Sequence, residues 1–263
     1  MAASALDRIE KGEFFLIAGP CVIESEQICL NVAEKVSSLA EQFGIPYIFK
    51  ASYKKANRLS GDSFAGPGMD AGLKTLQRVK EDLAVPVLTD VHETTEVGAA
   101  AEVADILQIP AFLSRQTDLL QMAAATGKWV NIKKGQFLAP EDMAKIAAKT
   151  NSNKLMLTER GSSFGYRNLV IDFRSLLIMK RTGFCVVFDA THSLQLPGAD
   201  GKISTGQPEF AIPMAKAAAA VGIDGLFVET HPNPSEALCD ASAMLPLEKM
   251  EELLESVLRI HKA

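Results

Sequence analysis

Tyr47-Ile48-Phe49-Lys50-Ala51-Ser52-Tyr53-Lys54-Lys55-Ala56-Asn57-Arg58 changes character in a single step. Its three apolar residues read as a buried strand. The nine that follow carry three lysines, an arginine, a serine and an asparagine, and no helical pattern resumes before Gly68. Connections this long inside a compact domain are usually functional or disordered. Lysine and arginine bind phosphate and carboxylate by charge, and arginine also through its planar fork. The stretch reads as an anion site at the end of a strand, with a solvated basic loop as the ordinary alternative. The rest of the chain decides between them.

The same step occurs eight times in all. Residues 14–18 run into Gly19-Pro20-Cys21, and residues 47–49 into Lys50. Residues 85–88 run into Thr89-Asp90-Val91-His92-Glu93. Residues 106–109 carry Gln108 and precede Pro110-Ala111. Residues 129–132 run into Lys133-Lys134-Gly135-Gln136, and residues 155–157 into Thr158-Glu159-Arg160. Residues 185–188 run into Asp189-Ala190-Thr191-His192, and residues 226–228 into Glu229-Thr230-His231. Short, nearly continuous apolar runs suit parallel strands buried on both faces. Amphipathic or Ala-rich helical patterns lie between them, over residues 25–43, 68–82, 93–103, 116–126, 141–149, 172–181, 208–221 and 246–261. Strand and helix in alternation predict a parallel α/β fold, and eight units predict a closed (β/α)8 TIM barrel. An open doubly wound sheet is the alternative, but its ligands gather at one switch point. Here polar groups follow nearly every strand, as a barrel mouth requires. Three connections are too long for simple turns, over residues 52–67, 190–207 and 230–245. The middle one, with Pro197, Gly198, Gly201 and Gly206, has the composition of a movable lid.

No linker or change of composition divides the 263 residues, so a single catalytic domain over residues 1–263 is expected. A net charge of −5 argues against a nucleic-acid surface. No run approaches the roughly 18 apolar residues of a membrane span. Residues 1–11 lack the pattern of a signal peptide. The four cysteines form no CxxC pair and no disulfide framework, which fits a reducing cytoplasm. Cys29 and Cys185 read as core. There is no dinucleotide fingerprint and no P-loop, and Gly161-Ser162-Ser163-Phe164-Gly165 is too weak a match for a phosphate loop.

Closing the barrel brings distant residues together. Cys21 follows strand 1, His192 follows strand 7, Glu229 ends strand 8, and Asp240 lies in the loop after it. Singly, each has an ordinary reading as a core thiol, a surface imidazole or a salt-bridge partner. Together they form a mixed thiolate, imidazole and carboxylate set that suits Zn2+ or Fe2+ better than Mg2+. His231 competes as a ligand. Lys50, Lys55, Lys133 and Arg160, after strands 2, 5 and 6, concentrate positive potential at the mouth of an acidic protein. Arg58 and Arg115 extend that set outward. Lys133 alone also permits a Schiff-base aldolase. Asp90 and Asp189 read as polar contacts or proton handlers, and a structural hydrogen-bonding role serves equally.

At these residues the sequence resembles the 3-deoxy-D-manno-octulosonate 8-phosphate synthase family over nearly its whole length. The matching runs are GPCVIES from Gly19, KANR from Lys55, LTDVHE from Leu88 and QIPAFLSRQTDLL from Gln108. NIKKGQF from Asn131, LTERGSSFGY from Leu157, FDATHSLQLPG from Phe188 and VETHPNP from Val228 complete them. The resemblance implies a homotetrameric barrel that condenses phosphoenolpyruvate with D-arabinose 5-phosphate and water, without a Schiff base, for lipopolysaccharide inner-core synthesis. It implies phosphoenolpyruvate contacts from Lys50, Ser52, Lys55, Gln108, Ala111, Lys133 and Arg160. It implies pentose phosphate contacts from Asn57, Arg58 and Asp90, with Arg115 reaching in from a neighbouring subunit. Cys21 after Gly-Pro implies the metal-dependent group, with a divalent ion (Fe2+ or Zn2+, with Mn2+ also admissible) on Cys21, His192, Glu229 and Asp240. Lys55, Lys133, Cys21 and His192 are the expected catalytic groups, Lys55 as a proton donor near the aldehyde. Leu59 departs from the family's Ser after KANR, and residues 61–66 lack a basic residue often found there. The sister synthase that makes a seven-carbon product, 3-deoxy-D-arabino-heptulosonate 7-phosphate, from erythrose 4-phosphate is the nearest alternative; its second-strand motif typically reads KPRTS. A non-catalytic module for anionic sugars is the alternative outside enzymes.

Overall fold

The computed structural model describes residues 3–56, 64–165, 168–196 and 205–263. Every apolar run becomes a strand: β1 (Phe15–Gly19), β2 (Tyr47–Lys50), β3 (Val87–Asp90), β4 (Ile106–Ile109), β5 (Trp129–Lys133), β6 (Leu155–Glu159), β7 (Cys185–Asp189) and β8 (Gly225–His231). Each pairs in parallel with the next, and β8 pairs back onto β1, with Phe15 opposite Gly225 and Gly19 opposite Glu229. The sheet is therefore a closed eight-stranded barrel. A Cβ at Gly19 would collide with the Lys50 carbonyl oxygen, so the glycine lets β1 and β2 approach at the mouth.

A helix follows each strand: α2 (Glu26–Phe43), α3 (Met69–Leu83), α4 (Thr94–Val103), α5 (Thr117–Ala125), α6 (Asp142–Ala148), α7 (Arg174–Lys180), α8 (Ala211–Val221) and α9 (Met250–His261). The longest shows why these segments are helical. The Ser25 hydroxyl accepts from the Ile28 N–H, capping the first turn of α2. Val32, Val36 and Leu39 recur on its buried face, and Gly44 ends it in the left-handed conformation at φ 69°.

Strand alternation separates two apolar layers. One lies between strands and helices. The other fills the barrel itself with Phe15, Ile17, Ile48, Leu88, Ile106, Trp129, Met156, Val187 and Phe227. Burying such side chains contributes about 1.5–3 kcal/mol each before entropy is counted. A short helix absent from the sequence expectation, α1 (Ala5–Glu10), closes the barrel's lower end. Its Leu6 and Ile9 pack against the interior cluster, and Ser4 and Asp7 form a reciprocal cap.

At the other end, Ser162–Gly165 pairs antiparallel with Asn168–Val170, so the glycine- and serine-rich run after Arg160 is a hairpin. Gln195–Leu196 pairs with Thr205–Gly206 within the connection expected to move; residues 197–204 lie outside the described residues. Leu245–Pro246 pairs with Thr230 and His231, tying the loop that carries Asp240 back to the barrel. Among the described residues, no helix is long and apolar enough to cross a membrane.

Candidate active site

Phe227 is the floor of the site. Its ring sits 3.7 Å from the Lys133 ammonium and 5.7 Å from that of Lys50, measured to the ring centre. Both lysines end barrel strands and are buried. Lys50 Nζ donates to Glu229 Oε1 at 2.5 Å and to the Cys21 carbonyl at 2.8 Å. Lys55 Nζ lies 3.9 Å from the same Glu229 oxygen. Lys133 Nζ donates to Asp189 Oδ2 at 2.6 Å. Arg160 Nη2 donates to Gln195 Oε1 at 2.8 Å, while its Nη1 is buried with no hydrogen bond among the described residues. An unpaired buried guanidinium nitrogen is costly unless an anion meets it.

Burial dominates the proton affinities of these groups. Burial pushes the Lys133 ammonium down to about 8, and Lys50 adds to the shift against the pull of Asp189 and Glu229. Burial and then Lys50 lower Lys55, and burial lowers Arg160. Burial also opposes the charge of Glu229, yet His192, Lys50, Lys55 and Lys133 together hold its carboxyl down to about 2. Asp189 is held well below the usual carboxylate range, because His192 and Lys133 outweigh burial. The carboxylates stay ionised, and the ammonium groups are ready to exchange part of their pairing for a stronger anion.

His192 joins the cations to a second constellation. Its Nδ1 lies 2.7 Å from Asp189 Oδ2 and its Nε2 lies 3.4 Å from Glu229 Oε2. Ligating atoms of His192, Glu229 and Asp240 all fall within 4.8 Å of one another. Cys21 Sγ lies 3.2 Å from Asp240 Oδ2. Thiol, imidazole and two carboxylates converging from β1, β7, β8 and the following loop fit a divalent ion in the zinc and iron range. Asp189 against Nδ1 is the kind of outer carboxylate that orients a ligating imidazole. Asp240 sits at φ 46°, a left-handed conformation that aspartate tolerates better than most residues.

The third side of the mouth carries neutral polar groups and an imidazole set between two carboxylates. Asn131 donates to Gln108, and Thr158 donates to Asn131, in a buried chain across β4, β5 and β6. The Ser52 hydroxyl donates to Asp90 Oδ1. His92 lies within 3.4 Å of both Asp90 and Glu96. Ala111 is buried at the start of the turn after β4.

The sequence-derived set therefore converges for Cys21, Lys50, Ser52, Lys55, Asp90, Gln108, Lys133, Arg160, His192, Glu229 and Asp240, and Ala111 lies two residues beyond the end of β4. Arg115 is exposed on this chain. Asn57 and Arg58 lie outside the described residues, as does Leu59. The competing ligand His231 faces elsewhere: Nδ1 meets the backbone of Asn233, and Nε2 is 3.9 Å from Glu24. Sequence reasoning missed Cys239, which the structure pairs with Cys21, their Cα atoms 6.2 Å apart. No spacing motif marks it, and only barrel closure, which sets β1 beside β8, brings the two cysteines together. Sequence reasoning also missed Lys134, a buried lysine 3.4 Å from Glu159 that reaches Ser162 and holds the β5 and β6 loops together.

A closed barrel whose mouth holds buried cations beside a thiol, imidazole and carboxylate group belongs to the class of barrel enzymes that act on small anions. Comparison with known proteins narrows the class. The family model described as DAHP synthetase I family matches residues 7–262, and the chain belongs to that family. It is 58% identical over 244 residues to a 2-dehydro-3-deoxyphosphooctonate aldolase of Acidithiobacillus ferrooxidans, covering 92% of this chain and 87% of the relative. It is 57% identical over 249 residues to proteins of the same name from Xanthomonas campestris and Xanthomonas oryzae, covering 94% of this chain and 90% of each relative.

Proposed function

We propose that the enzyme condenses phosphoenolpyruvate with D-arabinose 5-phosphate and water, giving 3-deoxy-D-manno-octulosonate 8-phosphate and inorganic phosphate. The observation that carries this reading is the cluster of buried cations Lys50, Lys55, Lys133 and Arg160 at the barrel mouth, with Arg160 Nη1 lacking a hydrogen bond among the described residues. A ligand carrying both carboxylate and phosphate matches that charge, and the relatives named above share the chemistry in their name.

In the reaction, C3 of the enol phosphate forms a bond to the pentose aldehyde carbon, and water adds to C2. The C2–O bond to phosphate then breaks, and phosphate leaves with that oxygen. The aldehyde oxygen takes up a proton, for which Lys55 is the donor. Lys50, Lys133 and Arg160 hold the enol phosphate, so that orientation supplies much of the rate. Phe227 keeps water from beneath it. Asp90, held by Ser52 and His92, contacts the pentose phosphate, a role that the family pattern also gives to Asn57 and Arg58. Cys21, His192, Glu229 and Asp240 would hold a divalent ion, Fe2+ or Zn2+, which would supply Lewis-acid chemistry at the reacting end. Asp189 fixes the His192 ring and the Lys133 ammonium relative to each other.

The reading extends to a cytoplasmic homotetramer in which Arg115 reaches a neighbour's pentose phosphate, and to a role in lipopolysaccharide precursor synthesis. Incubating the metal-loaded enzyme with phosphoenolpyruvate and either aldehyde phosphate, with product mass as the readout, is the test. The eight-carbon product from arabinose 5-phosphate is expected, and chelation should abolish it. A preference for erythrose 4-phosphate would replace this reading with the seven-carbon one.

A further inference from the structure

We propose that Glu96 is a positioning residue for the aldehyde substrate, acting through His92 on Asp90. The proposal rests on the reading of Asp90 as a pentose phosphate contact. Glu96 lies in the first turn of α4 and belongs to neither the substrate set nor the metal set. Its Oε2 accepts from the Tyr53 hydroxyl at 2.9 Å and from the His92 N–H at 2.9 Å, and its Oε1 accepts from Lys54 Nζ at 3.3 Å. One carboxylate therefore ties the segment after β2, which leads into Lys55, to the segment after β3, which follows Asp90. The His92 ring stands between two acids, with Nδ1 3.4 Å from Glu96 Oε2 and Nε2 3.4 Å from Asp90 Oδ2. The Tyr53 ring meets it edge-on, with centroids 6.3 Å apart and planes at 88°.

The chain of contacts ends on both oxygens of Asp90. Ser52 donates to Oδ1 and His92 faces Oδ2, so the carboxylate cannot turn without losing a partner. Burial opposes its charge, but Lys55 and then His92 hold the carboxyl well below the usual range. Burial opposes the charge of Glu96 as well, and the His92 N–H and then the Tyr53 hydroxyl lower its carboxyl. Tyr53 is a fixed anchor for this arrangement. It is fully buried, and a Cβ at Gly72 would collide with the Cβ of Tyr53, so α3 packs directly on it. A group already held in one orientation loses little entropy when a ligand meets it, and misplacing it by about 1 Å can cost roughly 100-fold. Lys133 and Arg160 are held instead by Asp189 and Gln195, from β7 and the segment after it. Loss of Glu96 should therefore fall on the aldehyde and spare the enol phosphate.

The test compares steady-state kinetics of the metal-loaded full chain and of Glu96→Leu, with each substrate varied in turn and unfolding curves to show that each variant is folded. In Glu96→Leu, kcat/KM for arabinose 5-phosphate should fall about 10- to 100-fold, while the calorimetric affinity for phosphoenolpyruvate stays at the wild-type value. Glu96→Gln keeps an acceptor oxygen for Tyr53 and the His92 N–H and should recover most of the loss. Where the leucine variant does not fold, Tyr53→Phe removes a single hydroxyl donor and should lower the same parameter by less. A double-mutant cycle decides whether the effect runs through Asp90: in an Asp90→Asn background, Glu96→Leu should cost little more. Wild-type kinetics in the folded variant, or equal losses toward both substrates, overturn the proposal. Losses that simply add in the cycle do the same, as does a glutamine variant as impaired as the leucine one. Those results leave Asp90 standing as a pentose contact. An Asp90→Asn enzyme with wild-type kinetics for arabinose 5-phosphate overturns that contact and the proposal together.

Discussion

The two ends of the barrel are built from the same eight strands and solve opposite problems. Below Phe227 the inward positions are apolar, from Phe15 and Ile17 to Val187, and α1 seals them with Leu6 and Ile9. Above Phe227 the same strands carry Lys50, Asp90, Gln108, Lys133, Asp189 and Glu229 at or near their ends, all buried. The lower end gains free energy by removing apolar surface from water. The upper end must offset the desolvation of charges by pairing them with each other. Glu229 spans Lys50 and His192, and Asp189 spans Lys133 and His192, so each carboxylate ties a cation of the proposed substrate cradle to a proposed metal ligand. Stability is concentrated at one end and chemistry at the other, and a substitution should reveal which end it touches.

The largest effect on turnover is expected at Lys133. Lys133→Met removes one of the cations aimed at the enol phosphate, and kcat/KM for phosphoenolpyruvate should fall roughly 100- to 1000-fold, as for other preorganised electrostatic groups. Steady-state phosphate release checks this, and an unchanged KM with unchanged kcat would remove Lys133 from the site. Next is Asp189→Asn, which frees both Lys133 and His192. Metal affinity should drop about 10- to 100-fold, measured by competition with a chromophoric chelator. Native affinity in that variant would show that His192 needs no outer carboxylate. At the lower end, Ile17→Ala should cost about 2–5 kcal/mol in urea unfolding and leave KM for both substrates unchanged; an altered KM would show that the two ends are not separable.

The smallest effect concerns pH. Burial works against the charged imidazole of His92, but Asp90 and Glu96 outweigh it and raise its proton affinity above the ordinary value of 6.5. The folded chain then holds this proton more tightly than the unfolded chain. Its contribution is complete below pH 6.5 and is lost as pH rises through the raised folded value. Unfolding curves of His92→Gln should show a shallower loss of stability on the alkaline side of neutrality. Curves that superimpose with wild type at every pH would contradict the ion-paired role.

Most of this architecture was legible because buried parallel strands write themselves as uninterrupted apolar runs, and the polar mouth groups lie in or within a few residues of the end of each run. Once closure is assumed, strand order brings Cys21, His192, Glu229 and Asp240 to one mouth, but it leaves His231 as a competitor, and only the family resemblance chose among them. Three features were not legible. Helix α1 has one short turn and a half of apolar signal, and its meaning depends on the barrel it seals. Asp189 read as a generic polar group, because its weight comes from two partners at sequence distances of 56 and 3 residues. Cys239 carried no spacing motif, since its partner lies at the opposite end of the chain. Pairwise contacts made only on closure leave little trace in local pattern.

Calorimetric titration of phosphoenolpyruvate into wild-type protein, Lys133→Met and Arg160→Met bears most directly on the claim of one shared pocket. One molecule should bind per wild-type chain, and each single variant should weaken binding by at least about tenfold, as the loss of a charge-assisted contact of roughly 1.5–3 kcal/mol requires. Wild-type affinity retained in either variant would mean that these cations do not face the same anion.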